Sequence, residues 1–234
     1  MRKYLFLLLL ALALGLSACG AEPEPDPVPE PEPAAEPSLY YSSALQDEQG
    51  NHWACFEMSV PREIYDAFSE PAALAVSDDL MAFAEKESDS WQDEQAAMRQ
   101  QTPDLDSEFT LDLTLFYHDE EIVAVTGDGY SYVSGAAHPN IHAYGFVFDA
   151  GTGERIGIGQ LLGDGWQDEL FPEIYRRIEA DGDLPFYYQD LEPLLAEFFR
   201  EDGWYADGDS IYVVYDPAQI AAYALGTPCF QLPR

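Results

Sequence analysis

The sequence predicts an α+β fold: antiparallel sheet or sheets with packed helices, in a two-lobed single domain. Three observations carry this. Residues 108–117 alternate strictly, with Phe109, Leu111, Leu113, Leu115 and Tyr117 on one side and Glu108, Thr110, Asp112 and Thr114 on the other, the period of a half-buried strand. Further strand-length runs at 122–126, 130–134 and 141–149 follow across Asp- and Gly-rich breaks, the spacing of an antiparallel meander. Apolar residues at helical spacing fall in separate blocks, so helices come in pairs and do not alternate one for one with strands.

Each element has its own signal. Residues 39–45 and 52–60 read as strands around Gly50-Asn51, a pair that tolerates the positive φ of a tight hairpin. Ser69-Glu70-Pro71 opens a helix, with Ser as cap and Pro in the first turn. It runs to Lys86, with Val76, Leu80, Phe83 and Ala84 along one side, and residues 88–101 form a second, weaker helix. Gly127-Asp128-Gly129 reads as a turn between two strands, and Ala150-Gly151-Thr152-Gly153 as a turn into 155–158. Asp164 with Gln167 is close to a capping box, and Leu170, Ile174 and Ile178 mark the buried stripe that follows. Asp190 opens another helix, residues 203–208 are loop, and 210–215 and 227–232 are the last strands.

Upstream of this domain the chain has a different character. Arg2 and Lys3 precede an apolar run to Leu16 that is too short to span a bilayer, and Leu16-Ser17-Ala18-Cys19 follows. This resembles a bacterial lipoprotein signal. The resemblance implies a signal peptide at 1–18, cleavage before Cys19 and lipid on Cys19, hence an extracytoplasmic protein anchored to the cell membrane. Residues 19–37 hold the lipidated Cys and a linker of Glu, Pro, Ala and Asp, which favours an extended, solvated chain. The folded part is then 38–234, with an N-terminal lobe at 38–135 and a C-terminal lobe at 136–234.

Charge narrows the function. The chain carries 44 acids against 10 Lys and Arg, a net charge of -34. Removing Arg2 and Lys3 with the signal takes it to -36 and leaves Lys86 as the one lysine. Such a surface repels nucleic-acid phosphate and anionic headgroups and attracts basic partners. Solubility or salt adaptation is the other reading of the same charge. With Cys19 lipidated, Cys55 and Cys229 remain as an even pair in an oxidising location. A bridge between them would contribute roughly 4–5 kcal/mol in the chain-entropy account; two separate buried thiols are the alternative.

Three segments resemble a known family when taken together: Tyr130 through Pro139, with Gly135-Ala136-Ala137-His138; the strand-turn-strand from Phe148 to Ile156; and Asp209 through Gly226, with Tyr215-Asp216-Pro217-Ala218-Gln219. The set is similar to the extracellular domain of the RsiV-like anti-sigma factors, a family of unknown function also found beside peptidoglycan deacetylases. The usual Tyr-Glu of that pattern is replaced here around Asp216, and the usual Gly-Gly is Ser134-Gly135. The resemblance implies the fold and an envelope-facing binding role; in the anti-sigma branch the domain binds lysozyme, a basic protein.

Catalytic signals are thin. There is no His-Glu-x-x-His and no Gly-x-Ser-x-Gly. No cofactor or metal is expected, and enzyme activity is the less favoured reading. The candidate ligand-binding residues are Tyr130, Tyr132, His138, Trp204 and Tyr205, aromatic types that dominate binding hot spots and stack on sugars. The expected function is a lipid-anchored binding module for a basic protein such as lysozyme or for cell-wall material. A cell-wall-acting enzyme and a structural acidic lipoprotein stand as alternatives, and a cluster of carboxylates on one face would favour the binder.

Overall fold

Two strands far apart in sequence, His52–Val60 and Ser107–His118, run side by side in the same direction, and this parallel pair decides the architecture. The computed structural model describes residues 39–234. The expected signal, linker and lipidated Cys19 lie outside the described residues. Strand β1 (Leu39–Gln46) and β2 (His52–Val60) form the expected hairpin, with Gly50 at φ 85° in its turn. Strands β3 (Ser107–His118), β4 (Ile122–Val133) and β5 (Asn140–Asp149) follow as an antiparallel meander, giving a five-stranded sheet in the order β1-β2-β3-β4-β5.

A parallel pair needs a long crossover, usually helical. Helices α1 (Arg62–Asp66) and α2 (Glu70–Arg99) supply it. Helix α2 is a single 30-residue element, where the sequence predicted a break near residue 87. Polar residues around the expected break are fastened to the sheet. Ser88 is fully buried and hydrogen-bonded to Ser43 Oγ, Gln92 Nε2 donates to the same oxygen at 3.0 Å, and Glu87 accepts from Tyr144 Oη at 2.8 Å.

Strand β4 likewise passes straight through Gly127 and Gly129, where a turn was expected. These glycines serve packing. A Cβ at Gly127 would lie 2.8 Å from Leu113 Cδ2, and one at Gly129 would lie 2.9 Å from both His142 Cβ and the Tyr144 ring. The missing side chains let cross-strand neighbours fill the space.

The C-terminal part begins with α3 (Ile158–Leu162) and α4 (Trp166–Asp181). Asp164 does not cap α4; Gly165, at φ 76°, occupies the cap position. Helix α5 (Leu191–Glu197) opens at Asp190 as expected. Strands β6 (Trp204–Ala206), β7 (Ser210–Val214) and β8 (Cys229–Pro233) form a separate antiparallel sheet. Strand β6 falls where a loop was expected; its three residues give too short an alternation to read, and it exists through its pairing with residues 211–213.

The core has two parts, one on each face of the large sheet. Phe56, Phe109, Leu111 and Phe146 pack beneath α2, with the Phe56 and Phe109 rings stacked at 4.9 Å. Ile122, Ala124 and Val147 point the other way and pack with α4, α5 and the small sheet through Ile174, Leu195, Trp204 and Ile211. The architecture is the expected mixed α+β single domain.

The expected disulfide is not formed: Cys55 and Cys229 are both free. Cys55 sits on β2 of the large sheet and Cys229 on β8 of the small one, which meets the large sheet at β5. Cys55 pairs with Glu108 near the start of β3, whereas Cys229 lies 3.7 Å from the hydroxyl of Tyr205, whose ring packs on Phe116 at the other end of that strand, on the order of 25 Å further along and beyond the reach of one bridge. Peptide mapping of the unreduced protein after alkylation is expected to recover Cys55 and Cys229 separately alkylated. A Cys55–Cys229 cross-linked peptide would overturn the assignment.

Candidate binding surface

The small sheet covers only part of the outward face of the large one. Alternation and register determine what the rest displays. Cys55 and Glu57 of β2 stand opposite Glu108 and Thr110 of β3, and Glu108, Thr110 and Asp112 stand opposite Tyr132, Tyr130 and Asp128 of β4. Phe56, Phe109, Leu111 and Val125, one residue out of phase, point into the core beneath α2. The open region therefore carries four carboxylates, Glu57, Glu108, Asp112 and Asp128, among Tyr40, Tyr130 and Tyr132. Tyr40 and Tyr130 are exposed. None of the five strands contains a Lys or Arg, so no cation within the sheet neutralises these acids. Ser59 Oγ donates to Asp112 and orients it.

An aromatic group borders this region. Tyr205 and Tyr212 stack at 4.9 Å, and Phe116 meets them edge-on at 4.6 and 5.3 Å. The Tyr205 phenol titrates well above its ordinary range, first because it is buried, then through Cys229, Tyr212 and Asp128. At the far end of the face, a cleft of about 460 Å³ opens between the start of β2, the start of β3 and the end of β4. A second cleft, of about 580 Å³, lies in the C-terminal part between Tyr175, Tyr187, Tyr188, Gln189 and Asp190.

The most connected polar cluster is on the opposite side of the sheet. Ser131 Oγ lies 3.1 Å from His142 Nε2, and His142 Nδ1 lies 3.1 Å from Asp216 Oδ2. That order matches a nucleophile relay, but the chemistry is structural. Ser131 is buried on a strand facing α2, and Asp216 is fully engaged. Its Oδ2 accepts from Arg200 Nη1 at 2.8 Å, and its Oδ1 accepts from Ala143 N at 2.8 Å. Arg200 also donates to Ala143 O, pairs with Asp202 at 3.0 Å, and lies over the Tyr144 ring at 5.0 Å. The cluster clamps the segment after β7 to β5. Sequence reading overlooked His142 and Asp216 here, because their pairing spans 74 residues and no local spacing reports it.

The residues singled out from sequence are distributed unevenly. Tyr130 and Tyr132 stand on the open face, and Tyr132 also lines its end cleft. Tyr205 is in the bordering stack. Trp204 is core, 1% exposed, and offers no surface to a ligand. His138 braces its own loop, with Nδ1 at 2.9 Å from Pro139 O and its ring 4.3 Å from that of Tyr223.

Residues 160–234 match a family model. Its description is "Protein of unknown function (DUF3298)". The match spans the C-terminal part of the chain, including Arg200 and Asp216, and leaves the large sheet outside it. Two solved structures are similar to the chain. A member of the DUF3298 family from Bacteroides fragilis is 13% identical, with a TM-score of 0.47, over 83% of this chain and 88% of that one. A DUF3298 family protein from Pseudomonas aeruginosa is 16% identical, with a TM-score of 0.42 and the same coverage. No curated protein matches the chain.

Proposed function

We propose that this protein is an extracytoplasmic, lipid-anchored binding module whose open sheet face captures a basic protein, with a lysozyme-like muramidase as the favoured partner. The observation that carries the reading is the gathering of Glu57, Glu108, Asp112 and Asp128 with three tyrosines on one cation-free face. Acidity that serves solubility alone scatters over a surface. A single-sign face with aromatic rings offers both long-range attraction and contact area. The resemblance of residues 130–139, 148–156 and 209–226 to RsiV-like extracellular domains supports the choice of lysozyme. The Leu16-Ser17-Ala18-Cys19 sequence supports the anchor.

Titrating the full chain, held in neutral detergent, with a basic lysozyme at two salt concentrations tests this. The expected result is saturable binding of defined stoichiometry that weakens with salt but survives physiological ionic strength. Changing Glu57, Asp112 and Asp128 together to their amides is expected to weaken it at least about tenfold, mainly through slower association. Equal binding by that variant, or binding only at low salt, would sink the reading. A second reading, capture of cell-wall glycan, is favoured by the Tyr175, Tyr187 and Tyr188 cleft with its Gln189 and Asp190, since tyrosine rings stack on sugars. Retention of the chain on purified peptidoglycan, lost on Tyr188→Ala, would establish it.

A further inference from the structure

The large sheet has one edge without a neighbour. Strand β5 meets the small sheet at Gly145 and Gly203, but among the described residues no strand pairs with the outer edge of β1. Proteins usually blunt such an edge with charge, proline, a bulge or a very short strand, because its unpaired N–H and C=O groups are a template for another chain. Strand β1 uses none of these from Leu39 to Leu45. It is an eight-residue strand, Leu-Tyr-Tyr-Ser-Ser-Ala-Leu-Gln, with no Pro and no charged side chain, in a chain of net charge -34. Its register with β2 is unbroken from Leu39 to Leu45 and shifts only at Gln46.

We propose that this edge takes up an extended segment of the basic partner as an added strand, with apolar side chains on one side and Arg or Lys on the other. The inference rests on the binding reading above and deepens it. Main-chain hydrogen bonds would hold the segment, and period-2 alternation gives it two different sides. Its outward side would lie beside Tyr40, Ser42, Ala44 and Gln46, which stand opposite Ser59, Glu57, Cys55 and His52. Only the small Ser42 then separates a cation on the segment from Glu57. The charge of Glu57 already reaches β1: the Tyr40 phenol is pushed up first by partial burial, then by its hydrogen bond to Glu57 and by that residue's charge. The inward side would lie beside Leu39 and Tyr41. There a groove of about 360 Å³ runs between Leu39, α1 and the first turns of α2. Tyr65, Ala73 and Leu74 line it, and Leu74 is 64% exposed. The occupants that the chain itself supplies have the wrong charge. Residues 22–37, which precede β1, hold Glu and Asp and no Lys or Arg. A second copy paired edge to edge would set two acidic faces side by side in one sheet.

Calorimetry of the full chain in neutral detergent tests this with a basic lysozyme and with the end-capped octapeptide of four Arg-Val repeats. Two further forms of the peptide are N-methylated, one on every Arg and one on every Val. Successive N–H groups of a strand point to opposite edges, so one form blocks the edge that meets β1 and the other does not. One form is expected to bind at least about tenfold more weakly than the parent peptide, and the other within about threefold of it. Attraction by charge alone would treat the two alike. Ser42→Lys, at an exposed position, is expected to weaken both the peptide and the lysozyme at least about tenfold. Gln167→Lys, an equal charge gain on an exposed α4 position, is expected to change neither by more than about twofold. If both methylated forms match the parent, or if Ser42→Lys binds the lysozyme as the unmodified chain does, the edge is not the site and the sheet-face reading stands. If the methylated forms split as expected but the lysozyme does not bind, the edge site stands and lysozyme falls as its partner. If the unmodified chain sediments as a dimer and Ser42→Lys as a monomer, a second copy holds the edge and the proposal is wrong. If no probe binds, both the edge and the sheet-face readings fall.

Discussion

Replacing Asp216 by Ala is expected to lower the stability of the domain by about 3–5 kcal/mol, the usual result of stripping one partner from a buried ion pair. The Asp216 side chain is 10% exposed and that of Arg200 29%, so neither group regains much water when its partner goes. The substitution leaves the Arg200 guanidinium facing an empty site and removes the acceptor of His142 Nδ1 and Ala143 N–H. Burial alone would raise the Asp216 carboxyl. The His142 hydrogen bond, the Arg200 charge and the Ala143 N–H overcome this and hold it below the ordinary carboxylate range. Burial would lower Arg200, but the charges of Asp216 and Asp202 outweigh it and raise it.

The sign of the pH effect follows from the depressed carboxyl. Its stabilising contribution is complete above the unfolded value of about 4 and is lost as pH falls through the folded value. Urea unfolding at neutral pH and in a series below pH 4 measures both effects. The acid loss should be shallower in the variant than in the native chain. Adding Arg200→Met to Asp216→Ala should cost less than Arg200→Met alone, because the orphaned charge is removed with it. A loss under about 1 kcal/mol for Asp216→Ala would show that the clamp contributes little.

The clamp shows which features a sequence carries locally and which it does not. The period-2 pattern of residues 108–117 identified β3 nearly to its ends, and the Gly50-Asn51 hairpin was plain. Both signals depend on neighbouring residues alone. The continuity of α2 was hidden because Glu87, Ser88 and Gln92 look solvent-facing until Tyr144 and Ser43 are placed against them. The parallel β2–β3 pairing left no mark, since the strand pattern is the same in either direction. For the site, Tyr130 and Tyr132 were legible as aromatic candidates. The acids around them were not, because among 44 acids only strand register shows which four share a face. Trp204 was misplaced for the opposite reason. An aromatic residue beside acidic loop residues reads as surface, and the core between the large sheet, α4, α5 and the small sheet buries it.

Gly145→Ala is expected to destabilise the domain by about 3 kcal/mol or more, at or above the upper end for inserting a methyl into a filled interior. A Cβ there would lie 2.3 Å from the Trp204 carbonyl oxygen and 2.5 Å from its carbon. Both atoms are backbone, so no rotamer change relieves the clash. Gly145 N donates to Asp202 O at 2.8 Å, and Gly145 bridges Gly203, so any shift that admits the methyl breaks the seam joining β5 to the small sheet. That seam lies beside Ala143, whose N–H and carbonyl hold Asp216 and Arg200. Its loss should therefore also weaken the clamp and steepen unfolding in acid less than in the native chain. The seam also limits how much of the sheet face the small sheet covers, so the Tyr205–Tyr212 stack should loosen and near-ultraviolet dichroism fall before global unfolding. Gly151→Ala is the matched control: its Cβ would meet only Asp149 Oδ1, at 3.4 Å, and should change stability by less than about 1 kcal/mol. Equal urea midpoints for the two variants would mean that β6 can slide along β5, and that the edge of the open face is set by something other than this contact.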